Sequence, residues 1–345
     1  MFDRISPVHY PSLISFNNLK SEDIMYDLSS IQIDLNERGF ENGTKSPFLL
    51  ESKVVKLYDY HDVPYFLRGN QYVTSGYRAF LSVRMCIKSL FVLSNESINI
   101  WSHLVGFFYF FYLLVVDNLV RIPEHNGTFP DHVVLTSLLI GYMISMFFSA
   151  CFHLFCCHSE KVFHVWLSLD LAGISLGLCA CYIPAVYYAF YCHVTWQGLY
   201  LSGVIFLTLV SLALQFHPSF LTSRWAVRRL LLFSSLVAYG VGPSLHWVLL
   251  LGGWSDYSVR LFIPKVAVMY LLGVLALVFY ALKIPERYFP GKLNYIGSSH
   301  QWWHLFIVLA YYWWHRSNVI YMKYRLKYQC LANSDLTSSD LPFEL

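Results

Sequence analysis

Charged residues are scarce in this sequence. Asp, Glu, Lys and Arg account for 13% of its 345 residues and hydrophobic residues for 56%, whereas a soluble domain carries roughly 25% charged residues. From Leu171 to Ser223 there is no Asp, Glu, Lys or Arg. This composition excludes an ordinary soluble domain, and the number and length of the uncharged runs exclude the buried helices of a large soluble protein. We expect no nucleic-acid partner.

Long apolar runs lie between the few charges. The hydrocarbon core of a bilayer is about 30 Å thick, so a spanning helix needs roughly 20 mainly apolar residues. The sequence predicts an all-α membrane protein, a seven-transmembrane helix bundle, with spans at residues 100–116, 133–155, 163–184, 196–214, 230–251, 261–282 and 299–317. We expect Pro184 and the polar residues 193–197 to divide the uncharged stretch. Gly240, Gly242 and Pro243 should kink the fifth span.

Basic residues in the short loops predict the orientation of the bundle, because cytoplasmic loops carry an excess of Lys and Arg. With a cytoplasmic N-terminus, the loop cations on the inside are Lys161, Arg224, Arg228, Arg229, Lys283, Arg287 and Lys292. The outside loops carry Arg121 and Arg260, with Lys265 at a membrane edge. The tail cations argue weakly for the opposite orientation; they are Arg316, Lys323, Arg325 and Lys327. Since no secretory signal peptide is visible, we expect the first span to act as the insertion signal.

Four segments follow one another along the chain. We interpret residues 1–50 as a disordered cytoplasmic tail, because their polar sequence lacks a sustained period. Residues 51–99 form a juxtamembrane cytoplasmic segment, in which the pattern from Arg78 to Leu93 predicts an amphipathic helix on the inner leaflet. Residues 100–320 form the seven-helix membrane domain, and residues 321–345 a short lumenal tail.

The eight cysteines are not expected to form a disulfide framework. Cys86, Cys156 and Cys157 fall on the predicted cytoplasmic side, where thiols stay reduced. The adjacent pair Cys156 and Cys157 lies at a membrane edge, where either palmitoylation or simple packing is open.

Ionisable side chains inside a membrane span are costly and therefore indicate function. His153, Asp170, His300 and His304 all lie at one predicted depth, in the inner half of the bilayer. His300 and His304 are four residues apart, so both project from one helical face, and Ser149 precedes His153 by the same spacing. Three neutral imidazoles form a known catalytic zinc set that leaves one position for water. The alternative is that each histidine is a hydrogen-bonded packing residue.

A second polar constellation precedes the first span. Glu96, Asn99 and His103 are spaced at i, i+3 and i+7, which places them on one side of a helix. We interpret them as a structural polar network that faces the bundle. A catalytic role and an ordinary polar helix start are the alternatives.

Three stretches carry a resemblance to a known family. They are SNESINIWSH at 94–103, SACFHLFCCHSEK at 149–161 with LDLAGI at 169–174, and PERYFPGKLNYIGSSHQWWH at 285–304. Together they resemble the progestin and adipoQ receptor family, which includes the adiponectin receptors, over residues 55 to 325. The resemblance implies an intramembrane zinc site with His153, His300 and His304 as ligands, Asp170 in contact with the zinc-bound water, and Ser149 beside it.

Within that family, three stretches most resemble a Golgi member that holds Raf kinase at the membrane: residues 57–103, residues 285–301 and the closing YYWWH at 311–315. This implies a Golgi tether that negatively regulates the MAP kinase cascade, with zinc as a structural staple. Residues 1–50 have no recognisable counterpart. The same site residues also occur in membrane hydrolases of lipid amides, so a zinc-dependent, ceramidase-like lipid amidase, coupled to ligand reception, is the alternative. A G-protein-coupled receptor is disfavoured, because the predicted orientation is reversed.

Overall fold

The computed structural model describes residues 54–217, 219–328 and 330. The predicted tail at residues 1–50 lies outside the described residues. The described part is almost entirely helical, with one isolated β-bridge between Tyr58 and Tyr77. Its principal helices are α1 (Val83–Lys88), α2 (Ser97–Val116), α3 (Phe129–Phe155), α4 (Glu160–Ala189), α5 (Val194–Leu214), α6 (Ala226–Tyr239), α7 (Val241–Leu250), α8 (Tyr257–Leu282) and α9 (Ser299–Tyr328).

Six helical segments of the described residues are long and apolar enough to cross a membrane, by length and composition. They are α2 with its extension to Glu124, α3, α4, α5, the pair α6 and α7, and α8. The prediction of a helical membrane protein is therefore confirmed. The predicted seventh span lies within α9, which is not among the six. This helix is rich in Tyr, Trp and His, and it carries four Lys or Arg residues after Trp314.

Several predicted span boundaries differ from the observed ones. Pro184 lies inside α4, which continues to Ala189, so the expected break at Pro184 was wrong, and the chain turns at residues 190–193 instead. A buried proline is tolerated in a spanning helix when neighbouring helices satisfy the freed backbone groups. The predicted interruption of the fifth span is confirmed, since α6 ends and α7 begins around Gly240. The last helix continues beyond residue 317 to Tyr328.

Helices α3 and α9 form the centre of the bundle. Helix α3 packs against α2 and α4, while α9 contacts α2, α3, α4 and α8. Between α3 and α9, the rings of Tyr142 and Tyr311 stack in parallel at 3.9 Å. The Tyr311 hydroxyl donates a hydrogen bond to Ser145 Oγ at 3.3 Å. Close approach of α3 to α4 depends on Gly141, because a Cβ atom there would lie 2.2 Å from the Cβ of Ala180.

Residues 54–96 precede the bundle and are called the cap segment here. The segment is hydrogen-bonded to the turn between α3 and α4, with Leu81 N donating to Cys157 O at 3.3 Å. The predicted amphipathic region is shorter in the structure, with the helix α1 followed by a 3-10 turn at Ser89–Phe91. Arg78, which was expected to face the lipid headgroups, is instead buried.

The end of the bundle remote from the cap segment is called the distal end here. It carries a disulfide bond between Cys192 and Cys330, whose Cα atoms are 5.5 Å apart. The expectation of no disulfide framework missed this bond, while the other six cysteines are free thiols. Between α2 and α9, the fully buried pair of His315 Nε2 and Asp117 Oδ2 lies at 2.6 Å, and Arg121 pairs with the same carboxylate.

We predict that Gly141→Ala lowers the unfolding temperature of the detergent-purified protein. The new methyl group meets the backbone-anchored Cβ of Ala180, so the two helices must separate, at a cost of about 1–3 kcal/mol for overpacking. Gly273→Ala is the matched control, because nothing lies within 4 Å of a Cβ at that position of α8. Equal unfolding temperatures for the two variants would contradict the packing described for α3 and α4.

Candidate metal centre

Three histidines meet at the cap end of the bundle. His153 lies in the last turn of α3, and His300 and His304 lie in the first two turns of α9. His153 and His304 are buried, whereas His300 is half-buried. One ligand atom from each of the three lies within 4.8 Å of the other two. Among the described residues this is the one group of three or more metal-ligating side chains that meets this distance criterion.

The three rings direct their Nε2 atoms at one another. Nε2 of His300 is 3.2 Å from Nε2 of His153 and 3.3 Å from Nε2 of His304. In a tetrahedral zinc site with Zn–N distances of about 2.0–2.1 Å, neighbouring nitrogens are about 3.3–3.4 Å apart. These two separations match that requirement, and the ligand atoms of His153 and His304 lie within 4.8 Å of each other. The residues therefore fit a zinc ion held by three imidazoles, with one coordination position left over.

Glu96 fixes the ring of His153 from the side opposite the other two histidines. Its Oε2 atom lies 2.7 Å from Nδ1 of His153 and accepts a second hydrogen bond from Asn99 Nδ2 at 2.6 Å. A carboxylate that accepts a hydrogen bond from Nδ1–H leaves the Nε2 lone pair free for a metal and orients the ring. Glu96 thus orients the candidate ligand His153 directly, and Asn99 orients Glu96.

His103 does not bond to Glu96 or Asn99, the residues with which it was grouped. Its ring stacks on the ring of His304 with centroids 3.8 Å apart. Both His103 nitrogens are buried without a hydrogen-bond partner among the described residues. The ring therefore restrains His304 by contact rather than by a hydrogen bond.

Asp170 and Ser149 lie beside His153. Asp170 is on α4 and is half-buried, while Ser149 is buried one helical turn before His153 on α3. The Asp170 carboxylate interacts electrostatically with His153 and with the Ser149 side chain. Tyr280 of α8 adds a group that sequence reasoning missed, since its ring lies 5.8 Å from that of His300 and its hydroxyl interacts electrostatically with Asp170.

Hydrogen bonds to Glu286 and Gln301 fix the start of α9, and both residues belong to the motif at residues 285–304. The fully buried Glu286 accepts hydrogen bonds from Ser299 N at 2.7 Å and from Asn70 Nδ2 at 2.8 Å. Gln301 donates to the carbonyls of Asn95 and Tyr295. Because these bonds link α9 to the cap segment and to the α8–α9 loop, they set the position of His300 and His304.

Comparison with known proteins gives the motifs of this centre a wider context. Residues 91–315 match the model of the family described as Haemolysin-III related. The chain is 48% identical over 283 residues to Progestin and adipoQ receptor family member 3 of Mus musculus, covering 82% of this chain and 91% of that protein. It is 33% identical over 265 residues to Heptahelical transmembrane protein 1 of Arabidopsis thaliana, covering 74% and 78% of the two chains. The Adiponectin receptor protein of Drosophila melanogaster is 33% identical over 256 residues, which cover 74% of this chain and 57% of that protein.

We predict that His304→Ala lowers both the zinc content and the unfolding temperature of the purified protein. Metal-binding energy is also folding energy when the site forms only in the folded chain. Loss of a ligand should weaken zinc binding by more than the roughly 10- to 100-fold typical of losing an outer-shell partner. Elemental analysis and thermal unfolding measure both effects. His164→Ala, at an exposed position of α4, should change neither, and equal zinc content in the two variants would refute the ligand assignment.

Proposed function

This chain belongs to the haemolysin-III-related family together with the progestin and adipoQ receptors, and we propose that it is a Golgi membrane protein that tethers Raf kinase and negatively regulates the MAP kinase cascade. Family membership confirms the resemblance inferred from the motifs. The Raf-tethering role rests on the resemblance of residues 57–103 to the Golgi member described above. In this proposal, zinc held by His153, His300 and His304 stabilises the cap end of the bundle.

The exposed surface of the cap segment is the observation that supports the tethering proposal. It is folded against the bundle, yet α1 and the following turn leave Val83, Ile87 and Phe91 exposed. Arg84 and Lys88 lie on the same short stretch and are exposed as well. An apolar surface flanked by cations suits contact with a partner protein at a membrane surface.

We further propose that the bundle spans the membrane seven times, with α9 as the seventh span and a cytoplasmic N-terminus. The disulfide between Cys192 and Cys330 supports this orientation, because disulfides persist in oxidising compartments such as the secretory lumen. The free thiols Cys86 and Cys157 lie at the cap end, and the loop cations are concentrated on the same side. A heptahelical name for the Arabidopsis relative agrees with the number of spans.

We predict that the bond between Cys192 and Cys330 resists a membrane-impermeant phosphine in sealed Golgi vesicles whose cytoplasmic face is outward. Both cysteines are exposed, so the bond should be reduced rapidly once detergent opens the vesicles. Alkylation of the released thiols with a mass tag reports the reduction. Reduction in intact vesicles would place the distal end in the cytoplasm and would overturn the orientation.

We predict that replacing Val83 and Ile87 together by Ser weakens the retention of Raf kinase on Golgi membranes by about tenfold, as expected for loss of apolar interface anchors. The full-length chain should hold Raf kinase, and so should a chain that lacks residues 1–50. Leu119→Ser is the control, since this residue is equally apolar and exposed near the distal end. Undiminished retention by the cap variant, or none by the wild type, would contradict the proposal.

A zinc-dependent hydrolase of lipid amides, such as ceramides, is the second candidate. Asp170 and Ser149 favour it, because a purely structural zinc site needs neither a carboxylate nor a hydroxyl beside its ligands. When bound, zinc supplies Lewis acidity and lowers the pKa of a water molecule towards about 7. Asp170 is then placed to accept a proton during attack on the amide. Ser149, one turn before His153, is placed to donate a hydrogen bond to the substrate oxygen.

The surroundings of the centre favour a lipid as the substrate of such a reaction. His300 and Asp170 are both half-buried, and Tyr280, which lies next to them, is exposed. All three lie within predicted spans, so we propose that the half-buried side of the centre faces the membrane. An amide-linked acyl chain would approach from this side.

We predict that Asp170→Asn separates the two candidate functions. If the site is hydrolytic, removal of the general base should lower ceramide turnover by about 10²- to 10⁴-fold, with zinc retained. If the site is only a staple, the variant should keep both zinc and Raf retention. Asp62→Asn, an exposed carboxylate of the cap segment, is the control. Wild-type protein with full zinc and no turnover on a panel of ceramides would count against the hydrolase.

A further inference from the structure

A cluster of thiols lies between the cap segment and the bundle, outside the metal centre. Cys86 of α1 and Cys157 in the α3–α4 turn are fully buried, and their Sγ atoms are 3.7 Å apart. Cys156 is buried beside them, with its thiol directed at the carbonyl of His153. Burial of Cys156 and Cys157 disfavours their palmitoylation in this conformation.

The positive charge next to these thiols comes from Arg78. Its side chain is 2% exposed, and its hydrogen-bond acceptors are neutral: Ser89 Oγ at 2.5 Å, and the carbonyls of His153 and Leu154. Nε has no partner, and no carboxylate among the described residues forms an ion pair with the guanidinium. A buried cation without a counter-ion is costly, so a thiolate close to Arg78 is stabilised.

Cys157 is the thiol best placed to carry that negative charge. Hydrogen bonds from the Cys156 and Cys86 thiols, together with the charge of Arg78, hold the pKa of Cys157 below its ordinary value, although burial opposes them. The hydrogen bond to Cys157 and burial raise the pKa of Cys86 and of Cys156. A thiolate is the form of cysteine that attacks peroxides.

We propose that Cys157 and Cys86 form an oxidisable dithiol, a modification site that responds to hydroperoxides by forming a disulfide bond. The Cys157 thiolate attacks the peroxide oxygen, so an S–O bond forms, the O–O bond breaks, and the departing alkoxide or hydroxide takes up a proton. Cys86 sulfur then attacks the sulfenic sulfur of Cys157. The S–S bond forms, the S–O bond breaks, and water leaves. Two thiols lose two electrons and the peroxide gains them.

The consequence of this oxidation is local. The new disulfide bond would join α1 to the turn that follows α3. The cap segment is already hydrogen-bonded to this turn, from Leu81 N to Cys157 O. Arg78 also donates a hydrogen bond to the carbonyl of His153. This one residue therefore links the surroundings of the dithiol to a candidate metal ligand. This inference does not depend on Raf binding or on hydrolysis.

The test uses the full-length protein, purified with its existing disulfide between Cys192 and Cys330 intact. After graded exposure to hydrogen peroxide, the remaining thiols are alkylated under denaturing conditions and the peptides are mapped by mass spectrometry. We expect a cross-linked pair containing Cys86 and Cys157, formed about tenfold faster than oxidation of Cys151, because reactivity follows thiolate character. Cross-linking of Cys156 to Cys157, or equal oxidation of Cys151, would overturn the proposal.

Three variants assign the roles within the pair. Cys86→Ser should leave a sulfenic acid on Cys157 that dimedone traps, whereas Cys157→Ser should leave no such adduct on Cys86. Cys151→Ser, at a free and half-buried thiol of α3, should oxidise like the wild type. Each variant is first checked for wild-type unfolding temperature. A dimedone adduct on Cys86 in the Cys157→Ser protein, or no adduct in a folded Cys86→Ser protein, would contradict the assigned chemistry.

Discussion

Three imidazole nitrogens that point at one another need either a shared proton or a cation between them, because two facing lone pairs repel. The Nε2 atoms of His153, His300 and His304 are separated by 3.2 and 3.3 Å along the two contacts that involve His300. Because Glu96 accepts a hydrogen bond from Nδ1 of His153, Nε2 of this ring carries a lone pair. A zinc ion held there would satisfy all three rings and would join the last turn of α3 to the first turns of α9. In this account, the cap end of the bundle depends on that junction.

The polar residues around the centre position its histidines, and they lie outside the apolar core. Glu96 and Asn99 orient His153, the ring of His103 covers His304, and Glu286 fixes the start of α9. All of these bonds are made where the chain leaves the apolar part of the bundle. Backbone and side-chain groups have few partners inside lipid, so the ends of the helices are where such a network can be assembled.

The sequence predicted most of the helices, and it singled out the three histidines that the fold brings together, for identifiable physical reasons. Uncharged runs indicate candidate spans, and costly intramembrane histidines indicate a candidate site, because both signals can be read from the sequence alone. The path of α4 through Pro184, the bond between Cys192 and Cys330, and the stack of Tyr142 on Tyr311 were not predictable. Each depends on contacts between segments that are far apart in the sequence. The spacing of residues along the sequence does not show which segments come into contact. Arg78 shows the same limit, since its cationic character suggested a lipid surface although the fold buries it.

X-ray absorption at the zinc edge of the purified full-length protein tests the central claim most directly. We expect one zinc ion per chain and a first shell of three imidazole nitrogens and one oxygen at about 2.0–2.1 Å. Multiple scattering from the imidazole rings should identify the nitrogens as histidine. A shell that contains sulfur at about 2.3 Å would place the metal at cysteine thiols instead. Such a shell, or protein that folds stably without zinc, would contradict the account.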